Sequence, residues 1–536
     1  MNQIKTPAVA PDRRDLWFVL LIALGGLLVY TRVLAPDVLY SDSGEFQTLA
    51  YTWGTTHTTG YPVYLVLARV IGLLPINTLA WRINFASAVA AAVTLGSVYL
   101  IARHYTQRAG ALLASLVLLL SYTFWSQSII AEVYTPATAL IVTVLLALLT
   151  WHHQPLHRRW WVFGAGFLVG AGLGVHLFLI LIAPTAGIFV LWGILWGSPE
   201  ERGHWGQLIR LIAGGIAGVM VFFLLFALMD VRPTPTNIFT TSIYPSRDAW
   251  NLQETDLDSV LERFWLSASG AQWQDRMIPA DEDYWKTFRA FLEDDLTREY
   301  ATPTLLLALL GIISAAGRQR RRFALLGIAL VVTCAAGLVY FPGDKYIFYL
   351  PAYLLLAIFA GIGAGTLIAG EIRLVRPTRL RAIVGGGLAA GLLLLCAAPL
   401  METRWLALQT GRSTFIAETY VYPVNRPQEA RLTAECALSK IAESEALLVM
   451  DWRALYATYY VAHVEQGRTG LLIHEAAPYP AHEMMPSLLA EINERVQNSE
   501  AVYVDQPYNL PRSTYTLTRS KSNCSTIDLL KVSLRN

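Results

Sequence analysis

The feature that most constrains this chain is the recurrence of uncharged apolar runs long enough to cross a bilayer. Spanning hydrocarbon as a helix takes roughly 17–25 such residues. Runs of this kind fall near residues 16–34, 83–102, 110–127, 136–151, 208–229, 303–316, 323–341, 347–369 and 382–400, the 303–316 run needing flanking residues to reach across. Composition agrees: 54% of the 536 residues are hydrophobic and 15% charged, against about 25% charged in a typical soluble domain. The net charge of +2 says little, because placement matters more than the sum. Basic residues sit in short loops and form no basic face, which argues against nucleic acid as a partner. Trp17–Tyr30 lacks a small-residue cleavage site and reads as a signal anchor.

The run from Trp160 to Trp196 is too long for one helix and short for two, with Gly170, Gly172, Gly174 and His176 in its middle. Charge bias resolves it. The loops holding Arg103 and Arg108, Arg158 and Arg159, Arg202 and Arg210, Arg318 to Arg322, and Arg373 to Arg381 should be cytoplasmic, as should the N-terminus with Lys5, Arg13 and Arg14. All agree only if this run crosses twice, turning near Gly174-Val175-His176. The expectation is a multi-pass α-helical membrane protein of about eleven transmembrane helices, N-terminus cytoplasmic and C-terminus extracytoplasmic, with a bacterial plasma membrane as its location. Residues 35–82, 128–135, 174–176, 230–302 and 342–346 and everything after Met401 are then outside. Asp42, Glu45, His57, Glu132, His176, Asp344 and Lys345 thereby share one side, although none of them entered the charge argument.

Residues 1–401 read as the membrane domain and 402–536 as a soluble extracytoplasmic α/β domain. There, Ala446–Met450, Gly470–His474 and Ala501–Asp505 look like buried strands separated by helical runs near 428–443, 454–466 and 483–497, an order that implies a small parallel sheet. No glycine-rich phosphate loop follows any strand. Cys334 and Cys396 read as core residues; Cys436 and Cys524 either pair in an oxidising compartment or remain free thiols. The outer loop 230–302, which carries Tyr244-Pro245-Ser246-Arg247 and Ser269-Gly270-Ala271-Gln272-Trp273, mixes aromatics with charges as interfacial helices do. It is a lid or acceptor-binding candidate, or a plain connector.

The chemistry concentrates in Ser41-Asp42-Ser43-Gly44-Glu45-Phe46, followed by Thr56-His57-Thr58-Thr59-Gly60-Tyr61-Pro62. Two carboxylates three residues apart share a helix face. Sugar transfer to a hydroxyl needs a base for the acceptor proton and negative charge near the anomeric carbon, and Asp42 and Glu45 offer both. The same spacing also suits a capping-box variant, with Asp42 as cap and Glu45 three residues on. His57 suits a phosphate leaving group or a sugar, or is an ordinary loop residue. His176, between apolar segments, must face protein or water. Asp344 and Lys345, in Phe341-Pro342-Gly343-Asp344-Lys345-Tyr346, suit sugar and phosphate or form a solvated turn. Glu132 is a similar case. No Cys/His cluster has metal-ligand spacing.

Asp42-Ser43-Gly44-Glu45-Phe46 with His57-x-x-Gly60-Tyr61-Pro62 resembles the signature of a membrane family long catalogued as a domain of unknown function. That family is now placed with the GT-C glycosyltransferases and includes the animal transmembrane O-mannosyltransferases acting on plexin-type domains. Phe124-Trp125-Ser126-Gln127 through Glu132-Val133-Tyr134, Gly172-Leu173-Gly174-Val175-His176, and Asp344-Lys345-Tyr346-Ile347-Phe348-Tyr349-Leu350-Pro351 are similar to it as well. The resemblance covers most of residues 16–370, and the C-terminal domain resembles bacterial members more loosely. One departure is visible: Thr58-Thr59 stand where the family usually has two prolines.

The resemblance implies a polyprenyl- or dolichyl-phosphate sugar as co-substrate, most simply mannose, inversion at the anomeric carbon, no metal or other cofactor, and a protein or glycan hydroxyl as acceptor. It places the catalytic acid residue at Asp42 or Glu45, with His57, Tyr61, Glu132, Tyr134, His176, Arg247, Asp344, Lys345 and Tyr349 as substrate-binding candidates. Two other classes remain at this point: a transporter or flippase of a lipid-linked or anionic substrate, and a non-catalytic envelope scaffold. A transporter is expected to carry charges deep within spans and often a repeated half, and neither is evident here.

Overall fold

The computed structural model describes residues 11–535 apart from 156, 375–377, 417–419 and 521–523. Lys5 and the side chains of Arg373 and Arg381, used in the charge argument, lie outside the described residues. Every apolar run read from the sequence is helical. Among the described residues, eight helices are long and apolar enough to cross a membrane, or up to 10 if each of two bent pairs counts as one span. One bent pair is Arg108–Leu120 with Tyr122–Ser128, turning through 66°; the other joins Tyr284–Glu299 to Thr302–Arg318 at 110°. The anticipated eleventh crossing falls on Trp160–Gly172, which has only 13 residues. At about 1.5 Å per residue it is about 20 Å long, short of the roughly 30 Å of hydrocarbon, so the count of eleven is not established.

That short helix is held by close backbone contact. Gly166 and Gly170 face Gly214 and Gly218 of the Gly206–Asp230 helix. A Cβ on Gly166 would come within 2.0 Å of the Leu211 carbonyl oxygen, and one on Gly214 within 2.1 Å of that of Phe163. Small residues four apart on both helices let the backbones touch where apolar burial gives no drive, because lipid is as apolar as leucine. The run then turns at 173–176, as the charge argument required, and continues as Leu177–Trp196.

The C-terminal part is a five-stranded sheet of order β2-β1-β3-β5-β4. β1 (Ala446–Met450), β2 (Leu471–Glu475) and β3 (Val502–Val504) are the three strands read from the sequence, and they pair in parallel. β4 (Tyr515–Arg519) and β5 (Leu530–Leu534) add an antiparallel edge, so the sheet is mixed rather than parallel. Their Thr, Arg, Lys and Ser residues leave one face in water and conceal them from a search for apolar runs. Alternation along β1 assigns its two faces. Leu447 and Val449 pack with Leu488 and Ile492 of the Pro486–Gln497 helix. Leu448 and Met450 join the core that continues into the membrane helices.

The sheet is therefore fastened to the membrane part and shares its core. The Arg431 guanidinium grips both oxygens of Asp37 at 2.7 Å and those of Glu465 at 2.6 and 2.9 Å. The Trp452–Tyr459 helix lies on Ser41–Thr52, where a Cβ on Gly44 would stand 3.3 Å from the Ala457 nitrogen. Thr48 Oγ1 donates to the Tyr456 carbonyl at 3.0 Å. Cys436 and Cys524 form a disulfide with Cα atoms 5.7 Å apart, which resolves the alternatives left open by the sequence.

Gly166→Val should lower the thermal unfolding midpoint in detergent by separating the two helices, an overpacking cost of about 1–3 kcal/mol. Gly164→Ala, where an added Cβ meets nothing within 4 Å, should leave the midpoint unchanged.

Candidate functional site

The Ser41–Thr52 helix begins without a side-chain cap. Its N-cap is Tyr40, and neither Asp42 nor Glu45 caps it, so the capping-box reading is set aside. The chain enters through Ser41 at φ 55° and leaves the following loop through Tyr61 at φ 41°. Left-handed backbone at non-glycine residues costs about 1–3 kcal/mol each and collects at functional sites. Between these two points the helix delivers its carboxylates to different places. Asp42 opens onto a cavity with its side chain 41% exposed, whereas the Glu45 side chain is fully buried. The shared helix face therefore does not bring both carboxylates to one cavity: Glu45 points inward, because its carboxylate is claimed by His57.

Glu45 accepts from the His57 backbone N–H at 2.8 Å through Oε1 and contacts His57 Nδ1 at 2.5 Å through Oε2. The other ring nitrogen, Nε2, stands 3.7 Å from Asp42 Oδ2. The loop that carries His57 is closed by Gly60 N–H donating to the His57 carbonyl at 2.7 Å, so the turn forms with Thr58-Thr59 in place of two prolines. Burial pushes the His57 ring down, but the Glu45 and Asp42 carboxylates and the Glu45 hydrogen bond outweigh it and hold the ring at about 9. Burial pushes the Glu45 carboxyl up, opposed by the charge and hydrogen bond of His57. The direction that decides the chemistry is that of His57, which is an imidazolium at neutral pH.

Two cavities meet at Asp42 and His57. One, of about 550 Å³, is walled by Leu177, Phe178, Ile180, Leu181 and Val339 and is largely apolar. The other, of about 540 Å³, lies between the membrane helices and the sheet and includes Gln127, Glu132, Tyr420, Trp452 and Glu475. Tyr134, Trp273 and Asp344 border both. Among the described residues, neither lining contains a lysine or arginine, which leaves His57 as the cation at the junction.

Residues predicted from separate loops converge here. Tyr61 and His176 stack at 6.1 Å in the apolar cavity. His176 Nδ1 accepts from the Phe178 N–H at 3.1 Å, so its Nε2 carries the hydrogen. Burial and the His57 charge push this ring down to about 3, and it stays neutral. Glu132 borders the polar cavity, its carboxyl raised well above the ordinary range by burial and then by the Asp42 and Asp344 charges. Burial likewise pushes Glu475 up to about 8, with the Ser242 hydroxyl donating to it. The buried Gln127 Oε1 has no hydrogen-bond partner among the described residues. The segment 268–278 of the outer loop walls both cavities, and its Trp273 stacks on Tyr479 of the C-terminal part at 4.9 Å, so it is more than a connector.

Three candidates lie elsewhere. Lys345 Nζ donates to the Leu338 carbonyl at 3.0 Å, compensating the end of the Arg320–Val339 helix, and does not line either cavity. Arg247 pairs with Glu254 at 2.6 Å on the outer loop. Tyr349 is 1% exposed, wedged between Phe291 and Gly337, and Phe348 reaches the cavity in its place. The sequence reading missed Trp452, whose Nε1 donates to Asp42 Oδ1 at 3.0 Å. A lone tryptophan 410 residues downstream carries no spacing signal. No group of three or more His, Cys, Asp or Glu among the described residues is arranged to hold a metal ion.

Residues 42–197 match the family described as the protein O-mannosyl-transferase TMEM260 N-terminal domain. Asp42, Glu45, His57, Tyr61, Glu132, Tyr134 and His176 fall within this match. The mouse protein O-mannosyl-transferase TMEM260 is 24% identical over 378 residues, covering 66% of this chain and 50% of its own length. Its Dictyostelium discoideum counterpart is 22% identical over 225 residues, covering 39% of this chain and 27% of its own. The chain thus spans about half the length of the mouse relative. Crystal structures of ArnT from Cupriavidus metallidurans superpose over nearly the whole chain. The apo form gives a TM-score of 0.55 at 14% identity, covering 97% of this chain and 98% of ArnT. The form bound to undecaprenyl phosphate gives 0.54 at 13% identity, covering 96% and 98%. The fold is of the GT-C class, and the chain is an integral membrane protein.

The His57 ring should titrate near 9 by NMR of ring-labelled protein. In Glu45→Gln it should fall, because burial then acts with its main opposing charge removed.

Proposed function

We propose that the junction of the two cavities is the active site of an inverting glycosyltransferase. It moves a sugar, most simply mannose, from a polyprenyl- or dolichyl-phosphate carrier to a hydroxyl of a protein or glycan at the extracytoplasmic face. The observation that carries this is the position of Asp42: an exposed carboxylate where an apolar cavity fit for an isoprenoid meets a polar one fit for sugar and acceptor. The relatives' names and the ArnT fold support the class of reaction.

In this reading the acceptor oxygen attacks the anomeric carbon from the polar cavity as Asp42 takes its proton. The bond from the anomeric carbon to the phosphate oxygen breaks, and the phosphate departs with the electron pair. The His57 imidazolium, held charged by Glu45, meets the negative charge that grows on the leaving group. Neutral His176, with hydrogen on Nε2, is a further donor toward the carrier. The Glu132 carboxyl and the Gln127 carbonyl engage hydroxyls of sugar or acceptor. Glu45 acts through His57 and not on substrate. Asp42, His57 and their neighbours supply this chemistry without a metal.

The test uses the full chain in vesicles with a labelled polyprenyl-phosphate mannose and a membrane extract as acceptor. Asp42→Asn should lower transfer by about 10²–10⁴, the usual cost of losing a positioned general base. Wild-type transfer should survive EDTA. Because His57 must keep its proton, the rate should decline as pH rises through about 9, and in Glu45→Gln this decline should begin at lower pH. Full transfer by Asp42→Asn removes the reading.

A further inference from the structure

We propose that Trp452, contributed by the C-terminal part, is a positioning residue for Asp42, so that the site is complete only when sheet and membrane helices are joined. The inference rests on the reading of Asp42 as the base.

Asp42 is approached from two sides. The indole Nε1 of Trp452 donates to Oδ1 at 3.0 Å, and His57 Nε2 lies 3.7 Å from Oδ2. An indole N–H can only donate, so it occupies one carboxylate oxygen and leaves the other turned to the junction. The ring itself is fixed: it meets His57 edge-on at 5.8 Å and 89°, and Tyr456 at 5.3 Å and 80°. Trp452 opens the Trp452–Tyr459 helix, whose start is capped by the Asp451 side chain accepting from the Arg453 N–H at 2.9 Å. That helix is seated against Ser41–Thr52 by the close approach at Gly44 and by the Thr48 bond to the Tyr456 carbonyl. The helix that carries the base and the helix that carries its donor are thus packed on each other. With its side chain 41% exposed, Asp42 is held only partly by packing. The Trp452 indole N–H, the Ser41 hydroxyl at 3.4 Å and the His57 ion pair hold its rotamer, and the first comes from outside the segment that matches the family domain.

A residue that aims the base without binding substrate alters kcat and leaves KM in place. Full-length wild type, W452F, D42N, the W452F/D42N double variant and Y456F are compared in vesicles with polyprenyl-phosphate mannose. Phenylalanine keeps the ring and removes only the N–H. W452F should lower kcat by about tenfold, the scale of one charge-assisted hydrogen bond, with KM for the donor changed by less than about twofold. The double variant should be no slower than D42N, since the donor has nothing left to aim. Y456F loses a hydroxyl that donates to the Thr236 carbonyl at 3.1 Å in the same helix, away from Asp42, and should keep its kcat. Wild-type kcat in W452F beside a crippled D42N overturns the role of Trp452 and leaves the base intact; full activity in D42N removes the base reading itself. A raised KM at unchanged kcat makes Trp452 a substrate contact and overturns the proposal. So do equal losses in W452F and Y456F, or a further loss in the double variant.

Discussion

A carboxylate shut away from water must be met by donors or give up its charge. Glu45 is such a group, and the structure around the site is arranged to meet it. Both of its oxygens go to His57, one to the backbone N–H and one to the ring. That double attachment pins the loop, and with the loop come the turn at Gly60, Tyr61 and the start of the Pro62–Gly72 helix. It also sets the charge of the ring that faces Asp42. A buried acid thereby decides which ring stands opposite Asp42.

The cavities divide the work by polarity. One wall is made of side chains with nothing to offer but surface, and the other carries acids, amides and rings with polar edges. Without lysine or arginine in either lining, positive charge at the junction is conditional on Glu45.

The site was legible in the sequence where polar residues interrupt apolar runs, since such residues cannot face lipid. That logic brought Asp42, His57, Glu132, His176 and Asp344 together before any coordinates, and all five border the cavities. It fails where a polar residue has a local use. Lys345 answers a helix end and Arg247 a neighbouring glutamate, and sequence position does not separate these from substrate contacts. It fails again where one residue in a long, unremarkable stretch is chosen by tertiary packing, as Trp452 is. The three parallel strands were legible from apolar runs, whereas the polar-faced β4 and β5 were not, because half of each strand meets water.

The short Trp160–Gly172 helix has a mechanical consequence. A helix about 20 Å long spans roughly 30 Å of hydrocarbon only where the bilayer thins or dips beside it. The break it leads into carries His176 to the wall of the apolar cavity. On the proposed reading, the headgroup layer is drawn down to the junction, and the carrier's phosphate arrives beside His57 while its tail stays in lipid. The protein then bends the membrane to the carboxylate instead of extracting the lipid, and hydrophobic mismatch becomes part of how the donor is delivered.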